Sequence, residues 1–154
     1  MHLSEFLDFD AIKPALAAGN KRSLLSQLAS IAAGRLDLPA SEILATISER
    51  EKLGSTGFGQ GVAIPHGKVE GLEQIYGLFV RLADSVGYKA IDGKPVDLVF
   101  LLLSPADAGA EHLKALAAIS RVIRNAPTLE KMRGARSRDA LAAVLLGADE
   151  RDAA

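Results

Sequence analysis

The sequence has no cysteine among its 154 residues and no apolar run long enough to cross a membrane. The first absence excludes disulfides, thiolate metal sites and cysteine nucleophiles. The longest apolar stretches, such as 96–103, are far shorter than the roughly 20 residues of a membrane span. Residues 1–5 also lack the basic segment and apolar stretch that open a signal peptide. We therefore expect a cytoplasmic protein that does not insert into a membrane.

The chain also has almost no excess of positive or negative charge. The chain carries 18 lysines and arginines against 19 aspartates and glutamates, for a formal net charge of −1, and the basic residues form no run. Sequence-independent binding of nucleic acid depends on clustered cations that release counterions from the phosphate backbone. Nucleic acid is thus not an expected partner.

The sequence does contain enough apolar material for an ordinary globular core. Its hydrophobic residues make up 49% and its charged residues 24% of the chain, as in typical soluble domains. A chain of this length lies below the size at which cores usually split. We expect a single domain over residues 1–154.

Apolar periodicity predicts helices at both ends of the chain and strands between them. The predicted helices cover 22–35, 41–50, 111–125, 128–134 and 137–146. The predicted strands cover 62–64, 76–82 and 96–103. Ser137 is a candidate N-cap for the last helix, and residues 149–154 are expected to fray. This order indicates an α/β fold in which helices pack against a sheet.

His66 follows Pro65 and precedes Gly67, at the predicted end of the strand over 62–64. Proline fixes the approach of the chain and glycine lets a backbone or a phosphate come close, so this setting presents the imidazole. A neutral imidazole is a nucleophile near pH 7. On local context alone, a structural histidine at a strand end is the alternative.

Two further candidates lie on either side of His66 in the chain. His112 falls in the first turn of the helix predicted over 111–125, where unpaired N–H groups and the helix dipole favour anions. An ordinary exposed residue is the alternative for His112. Arg50 lies just before a glycine-rich loop, and its planar guanidinium matches the oxygens of a phosphate.

The glycine-rich loop covers residues 54–61 and offers hydroxyl and backbone N–H groups to an anion. The candidate phosphate-binding residues in it are Ser55, Thr56, Gly57, Gly59 and Gly61. No Gly-Lys-Ser/Thr follows, so nucleotide binding is not indicated. A glycine-rich hairpin without a ligand is the alternative.

The sequence gives little indication of a metal site or of a serine-hydrolase site. A metal site needs more well-placed ligands than the sequence offers, because it contains neither a His-x-x-x-His pair nor a carboxylate cluster. The Gly-x-Ser-x-Gly turn of serine hydrolases is also absent. We expect neither a metal ion nor a cofactor.

Residues 50–68 read REKLGSTGFGQGVAIPHGK, and this segment resembles the active-site segment of IIA proteins of the phosphoenolpyruvate phosphotransferase system. It is most similar to the nitrogen-regulatory branch, a relative of the fructose and mannitol IIA domains. KPVDLVF at 94–100 and PAD at 105–107, followed by His112, continue the resemblance across most of residues 40–125.

The resemblance implies a mixed β-sheet sandwiched between helices. It places the family's phosphorylated histidine on His66, its second active-site histidine on His112 and its active-site arginine on Arg50. Ser55, Thr56 and Gly57 fall in the loop on the phosphate side. No cofactor is implied, because the donor already carries an activated P–N bond.

The resemblance also implies the partners. The donor is a small histidine-containing phosphocarrier protein, which would dock on an exposed apolar rim around His66. Phe58, Val62 and Ile64 are the candidates for that rim. The receivers are regulatory target proteins that distinguish the phosphorylated chain from the free chain.

Three functions remain open at this point. The first is a regulatory phosphocarrier, and the second is a sugar-transport IIA component that passes phosphate to a IIB domain. The sequence PHGK at 65–68 and the lack of a fused IIB or IIC segment favour the first. The third is a protein-interaction domain whose histidine is never phosphorylated.

Overall fold

The computed structural model describes residues 1–153, which form one six-stranded sheet with helices on both faces. Two short 3₁₀ turns, Leu3–Glu5 and Phe9–Ala11, precede the first strand. The strands are β1 (Lys13–Leu16), β2 (Gly57–Gly59), β3 (Val62–Ala63), β4 (His66–Val69), β5 (Tyr76–Val86) and β6 (Val96–Pro105). The helices are α1 (Lys21–Leu36), α2 (Ala40–Lys52), α3 (Ala110–Ile123), α4 (Ala126–Gly134) and α5 (Arg138–Ala153).

The sheet is mixed, with β6 at its centre. The strand order is β1-β5-β6-β3-β2, and β4 also pairs with β6. On one side β6 runs antiparallel to β5, and on the other it runs parallel to β3 and then to β4. β3 and β4 therefore occupy one edge of β6 in succession, separated by Ile64 and Pro65.

Alternating side chains of β6 enter two separate cores, as the twofold periodicity of a strand requires. Leu98, Phe100 and Leu102 pack with the N-terminal turns and with α3, α4 and α5. Val99, Leu101 and Leu103 pack with α1 and α2 on the opposite face. A strand buried on both faces is almost continuously apolar, which explains why 96–103 was readily identified as a strand. The predicted α/β sandwich is confirmed.

The helices and long strands occur where the periodicity places them, whereas three short strands, β1, β2 and β4, were not predicted. β2 lies within the segment 54–61 that was expected to be a loop. β1 contains Pro14 at the edge of the sheet, and β4 begins at His66 directly after Pro65. His66 thus opens a strand and does not close one. Gly67 in β4 is required by packing, because a Cβ there would lie 2.4 Å from the Cγ2 atom of Thr46 on α2.

The C-terminal helix extends beyond the sequence expectation, because α5 continues past residue 146 to Ala153, through residues that were expected to fray. Asp149 was predicted to belong to a frayed end, but it is buried and accepts a hydrogen bond of 2.7 Å from the backbone N–H of Leu3. The carboxylate thereby caps the first 3₁₀ turn. Ser137 does cap α5, since its Oγ accepts from the N–H of Ala140 at 3.1 Å. Residue 154 lies outside the described residues.

The described helices include none with the length and apolar character that crossing a bilayer requires.

Candidate functional site

His66 lies where the ladder along the edge of β6 is interrupted. The carbonyl of Pro65 accepts from the N–H of Leu102 at 3.0 Å, so the backbone is held against β6 up to the histidine. The carbonyl of Ile64 instead accepts from His66 Nδ1 at 2.7 Å. A carbonyl can only accept, so the hydrogen of the neutral ring lies on Nδ1 and the lone pair lies on Nε2.

The surroundings of His66 keep its imidazole uncharged. Burial lowers its pKa most, the hydrogen bond to Ile64 opposes this, and the positive charge of Arg50 lowers the pKa further. The net pKa lies below its ordinary value of 6.5. At neutral pH the half-buried ring is therefore a neutral base with a free Nε2 lone pair.

His112 lies beside His66, although 46 positions separate them in the chain. Their ring centroids are 5.5 Å apart, and the ring planes are inclined by 48°. His112 stands in the first turn of α3, and its Nδ1 lies 2.6 Å from Ser104 Oγ. Burial lowers its pKa most, and the repulsion that a protonated His112 would meet from a protonated His66 and from Lys68 lowers the pKa further. The structure thus brings two uncharged imidazoles together.

Arg50 brings a cation to the same place. It lies in the last turn of α2, and its Nη1 donates to the carbonyl of Gly54 at 2.8 Å. Together with His66 it lines a shallow depression of about 390 Å³. The hydrogen bond to Gly54 holds the guanidinium at the start of the glycine-rich loop, so a planar cation and the neutral His66 ring line the same depression.

Ser55, Thr56 and Gly57 line this depression, but much of their hydrogen-bonding capacity is used within the protein. Ser55 Oγ donates to the carbonyl of Tyr88 at 2.8 Å and accepts from the N–H of Gly57 at 3.0 Å. The N–H and hydroxyl of Thr56 both donate to Glu51. These contacts order the loop around His66.

Gly59 and Gly61 are not among the residues lining the depression. Gly59 ends β2, and Gly61 lies in the tight turn between β2 and β3, whose two central residues, Gln60 and Gly61, have φ angles of 60° and 78°. Such a turn requires positive φ at both central residues, which glycine adopts readily. A Cβ on Gly61 would also meet the guanidinium of Arg133 on the outer side of the hairpin. The structure assigns these glycines to the turn geometry.

Sequence reasoning missed Glu51, the acidic residue that anchors the loop. Its side chain is 6% exposed, and its carboxylate accepts from Lys21 Nζ at 2.8 Å and from the Tyr88 hydroxyl at 3.0 Å. Thr56 supplies the further donors from the loop. Burial on its own would raise the pKa of Glu51, but the hydrogen bonds from Lys21 and Thr56 and the charge of Lys21 hold it below its ordinary value.

Replacing Glu51 by alanine is expected to lower the free energy of unfolding by about 3 kcal/mol, because it leaves the partly buried Lys21 ammonium and several donors without their acceptor. Because the folded pKa is depressed, the contribution of Glu51 is present above its unfolded value near 4.5 and is lost as the pH falls through the folded pKa. Urea unfolding measured at neutral and acidic pH checks both statements.

Glu49 on the same helix is the matched control. Its side chain is 72% exposed and pairs with the exposed Lys52. Its replacement by alanine should change stability by about 0.5 kcal/mol or less. Equal effects of the two substitutions would show that the Glu51 contacts do not stabilise the loop.

Of the three residues predicted to form an apolar rim, only Phe58 is exposed, at 38%. Val62 and Ile64 are buried, because the inward side chains of this segment join the core under α3, α4 and α5. Their prediction as docking residues was wrong. The exposed large apolar side chains that line the depression are Phe58 and Ile91.

In the part of the chain that the structure describes, no three histidine, aspartate or glutamate side chains converge as a metal ion requires. The arrangement instead offers a nucleophilic nitrogen, a second imidazole and a guanidinium. Those groups suit the transfer of an anionic phosphoryl group, whose oxygens need cations and N–H donors.

Known proteins are similar to this chain in sequence and in fold. The family model described as phosphoenolpyruvate-dependent sugar phosphotransferase system, EIIA 2, matches residues 5–147. The nitrogen regulatory protein of Bradyrhizobium diazoefficiens is 45% identical over 145 residues, covering 94% of this chain and 95% of that protein. The fructose-specific EIIA component of Haloferax volcanii is 35% identical over 116 residues, 75% of each chain.

Among solved structures, the nitrogen regulatory protein IIA-Ntr of Neisseria meningitidis superposes with a TM-score of 0.87 at 36% sequence identity. The match covers 93% of this chain and 98% of that chain. The similarity therefore includes both helical layers as well as the sheet.

Proposed function

Because this chain belongs to the EIIA 2 family of the phosphoenolpyruvate-dependent sugar phosphotransferase system, among its nitrogen regulatory proteins, we propose that it carries a phosphoryl group on Nε2 of His66. The observation that carries this proposal is the hydrogen bond from Nδ1 to the Ile64 carbonyl. It leaves Nε2 as the nucleophilic nitrogen of a neutral ring.

The transfer exchanges one P–N bond for another. The lone pair of His66 Nε2 attacks phosphorus while the P–N bond of the donor's phosphohistidine breaks, and that electron pair returns to the donor's ring nitrogen. No proton has to leave His66 during this step. The ring becomes more positive as the new bond forms, and the Ile64 carbonyl stabilises it through the Nδ1 hydrogen.

The oxygens of the transferred group gain charge stabilisation from the residues around the depression. Arg50 supplies a guanidinium, and His112 supplies a second imidazole. In a loose transition state, positioning and electrostatic stabilisation account for nearly all of the catalysis. We assign Ser55, Thr56 and Gly57 the role of shaping the loop beside the phosphoryl group.

The shape of the site favours a protein donor over a small molecule. The depression is shallow, and two exposed apolar side chains line it, with Phe58 38% and Ile91 88% exposed. Apolar anchors of this kind are typical of the centre of a protein–protein interface. The proposed donor is a histidine-containing phosphocarrier protein, and the proposed place of action is the cytoplasm.

The output we propose is regulatory: target proteins bind the phosphorylated and free forms differently. A phosphoryl group at the centre of an apolar rim adds negative charge where a partner would bury apolar surface. A partner that packs on the free form would therefore be displaced, and a partner with an arginine cluster would be recruited.

Incubation with phosphoenolpyruvate, Enzyme I and the histidine-containing phosphocarrier protein tests the proposal. We expect intact-mass analysis to show the gain of one acid-labile, base-stable phosphoryl group. Omission of any component should prevent the gain. An unchanged mass in the complete mixture would contradict the proposal and favour a protein-interaction domain.

A sugar-transport role is the second candidate, and the likeness to a fructose-specific EIIA component favours it. The phosphorylated protein from the same incubation distinguishes the transport role from the regulatory role. If it passes its phosphoryl group rapidly to a fructose-type IIB domain, the transport role holds. Retention of the phosphoryl group in the presence of that domain supports the regulatory role.

A further inference from the structure

Ser104 lies at the end of β6, beside the two imidazoles, with its side chain fully buried. Its Oγ is 2.6 Å from His112 Nδ1. A buried hydroxyl without a hydrogen-bond partner is costly, so this short contact is the one that satisfies Ser104. The contact joins the central strand to the first turn of α3.

The direction of this hydrogen bond follows from what else Ser104 can reach. Among the described residues, Ser104 Oγ has no second hydrogen-bond partner. If His112 Nδ1 were the donor, the serine hydrogen would be buried without an acceptor. If Ser104 donates, its hydrogen is satisfied and Nδ1 is the acceptor. A neutral His112 ring then carries its hydrogen on Nε2.

We propose that Ser104 is a positioning residue that holds His112 as an Nε2–H donor for the phosphoryl oxygens. This rests on the proposed function of His66. The two rings then have opposite tautomers: Ile64 leaves His66 Nε2 with a lone pair, and Ser104 leaves His112 Nε2 with a hydrogen. One ring accepts phosphorus, and its neighbour donates to the oxygens bound to phosphorus.

The opposite tautomer of His112 would work against transfer. Its Nε2 would present a lone pair to anionic oxygens, and the site would lose an N–H donor. Without the serine hydroxyl, the neutral ring is free to populate both tautomers. Replacing Ser104 by alanine should therefore slow single-turnover phosphoryl uptake by about five- to tenfold, the effect of one neutral hydrogen bond. The KM for the donor should not change, since the rim is intact.

Imidazole ¹⁵N spectra of the unphosphorylated protein test the tautomer directly. In the wild type we expect His112 to show a hydrogen on Nε2 and none on Nδ1. Ser104→Ala should remove this preference, and Ser104→Thr, which keeps the hydroxyl, should restore it. Ser85→Ala, an exposed serine substitution on the neighbouring strand β5, should leave the spectrum unchanged.

Three results would overturn the inference. The first is a wild-type His112 with its hydrogen on Nδ1, and the second is a Ser104→Ala spectrum identical to that of the wild type. The third is a Ser104→Ala protein with an altered tautomer but an unchanged rate of uptake. Because the spectra need no phosphorylation, failure of His66 to accept phosphate would be seen separately in the uptake assay.

Discussion

His66→Ala is expected to abolish phosphoryl uptake, with no mass gain in the presence of phosphoenolpyruvate and both upstream proteins. His66 Nε2 is the proposed nucleophile, and alanine offers no atom that can form the P–N bond. His112 cannot substitute, because its Nδ1 is engaged by Ser104 and its ring is held by the first turn of α3. Intact-mass analysis after the complete incubation measures the effect.

His2 supplies the matched control for a histidine-to-alanine change. It lies at the N-terminus with a half-exposed side chain, far along the chain from β4. His2→Ala should gain one phosphoryl group as the wild type does. Uptake by His66→Ala, or loss of uptake in His2→Ala, would contradict the assignment of the acceptor.

The second large effect is expected at Arg50. Arg50→Lys should slow single-turnover uptake by about 100-fold, a loss similar to removal of one donor from an oxyanion hole. The guanidinium donates to the Gly54 carbonyl through Nη1 and keeps further N–H groups for phosphoryl oxygens. A lysine ammonium keeps the charge but cannot reproduce this planar arrangement. Rapid-quench kinetics at saturating donor measure the loss.

Arg136 in the connection between α4 and α5 is the control for the arginine-to-lysine change. Its side chain is exposed, and no hydrogen bond or ion pair involves it among the described contacts. Arg136→Lys should react at the wild-type rate. If Arg50→Lys were equally fast, charge alone would be sufficient and the proposed role of the planar guanidinium would be wrong.

The sequence predicted an element of the fold where that element carries a long apolar run or an apolar stripe at helical spacing. β6 is apolar on both faces, and α1, α2 and α3 have clear apolar stripes. β1, β2 and β4 were missed because each has only three or four residues and contains proline or glycine, which weaken a strand pattern. The pairing of β1 with β5 and of β4 with β6 depends on tertiary contacts, which a local sequence pattern cannot predict.

The candidate site residues could be predicted from the sequence where they fall in the segment 50–68 or at positions that match the IIA family. The structure places His66 and Arg50 around one depression, with His112 against His66. Glu51 was missed because its partner Tyr88 is 37 positions away and a buried carboxylate cannot be told from an exposed one by spacing.

Ser104 and His112 are eight positions apart, and no local sequence pattern predicts that their side chains form a hydrogen bond. The error at Val62 and Ile64 has a similar origin. Apolar residues beside a candidate nucleophile can face a partner or the core, and only the position of α3 shows which.

The most direct test of the account is the ¹⁵N spectrum of the phosphorylated protein, with coupling to ³¹P detected at the imidazole nitrogens. We predict a one-bond coupling at Nε2 of His66, with Nδ1 of the same ring still carrying its hydrogen. A coupling at Nδ1 of His66, or at either nitrogen of His112, would contradict the claim that the Ile64 carbonyl selects the reacting nitrogen.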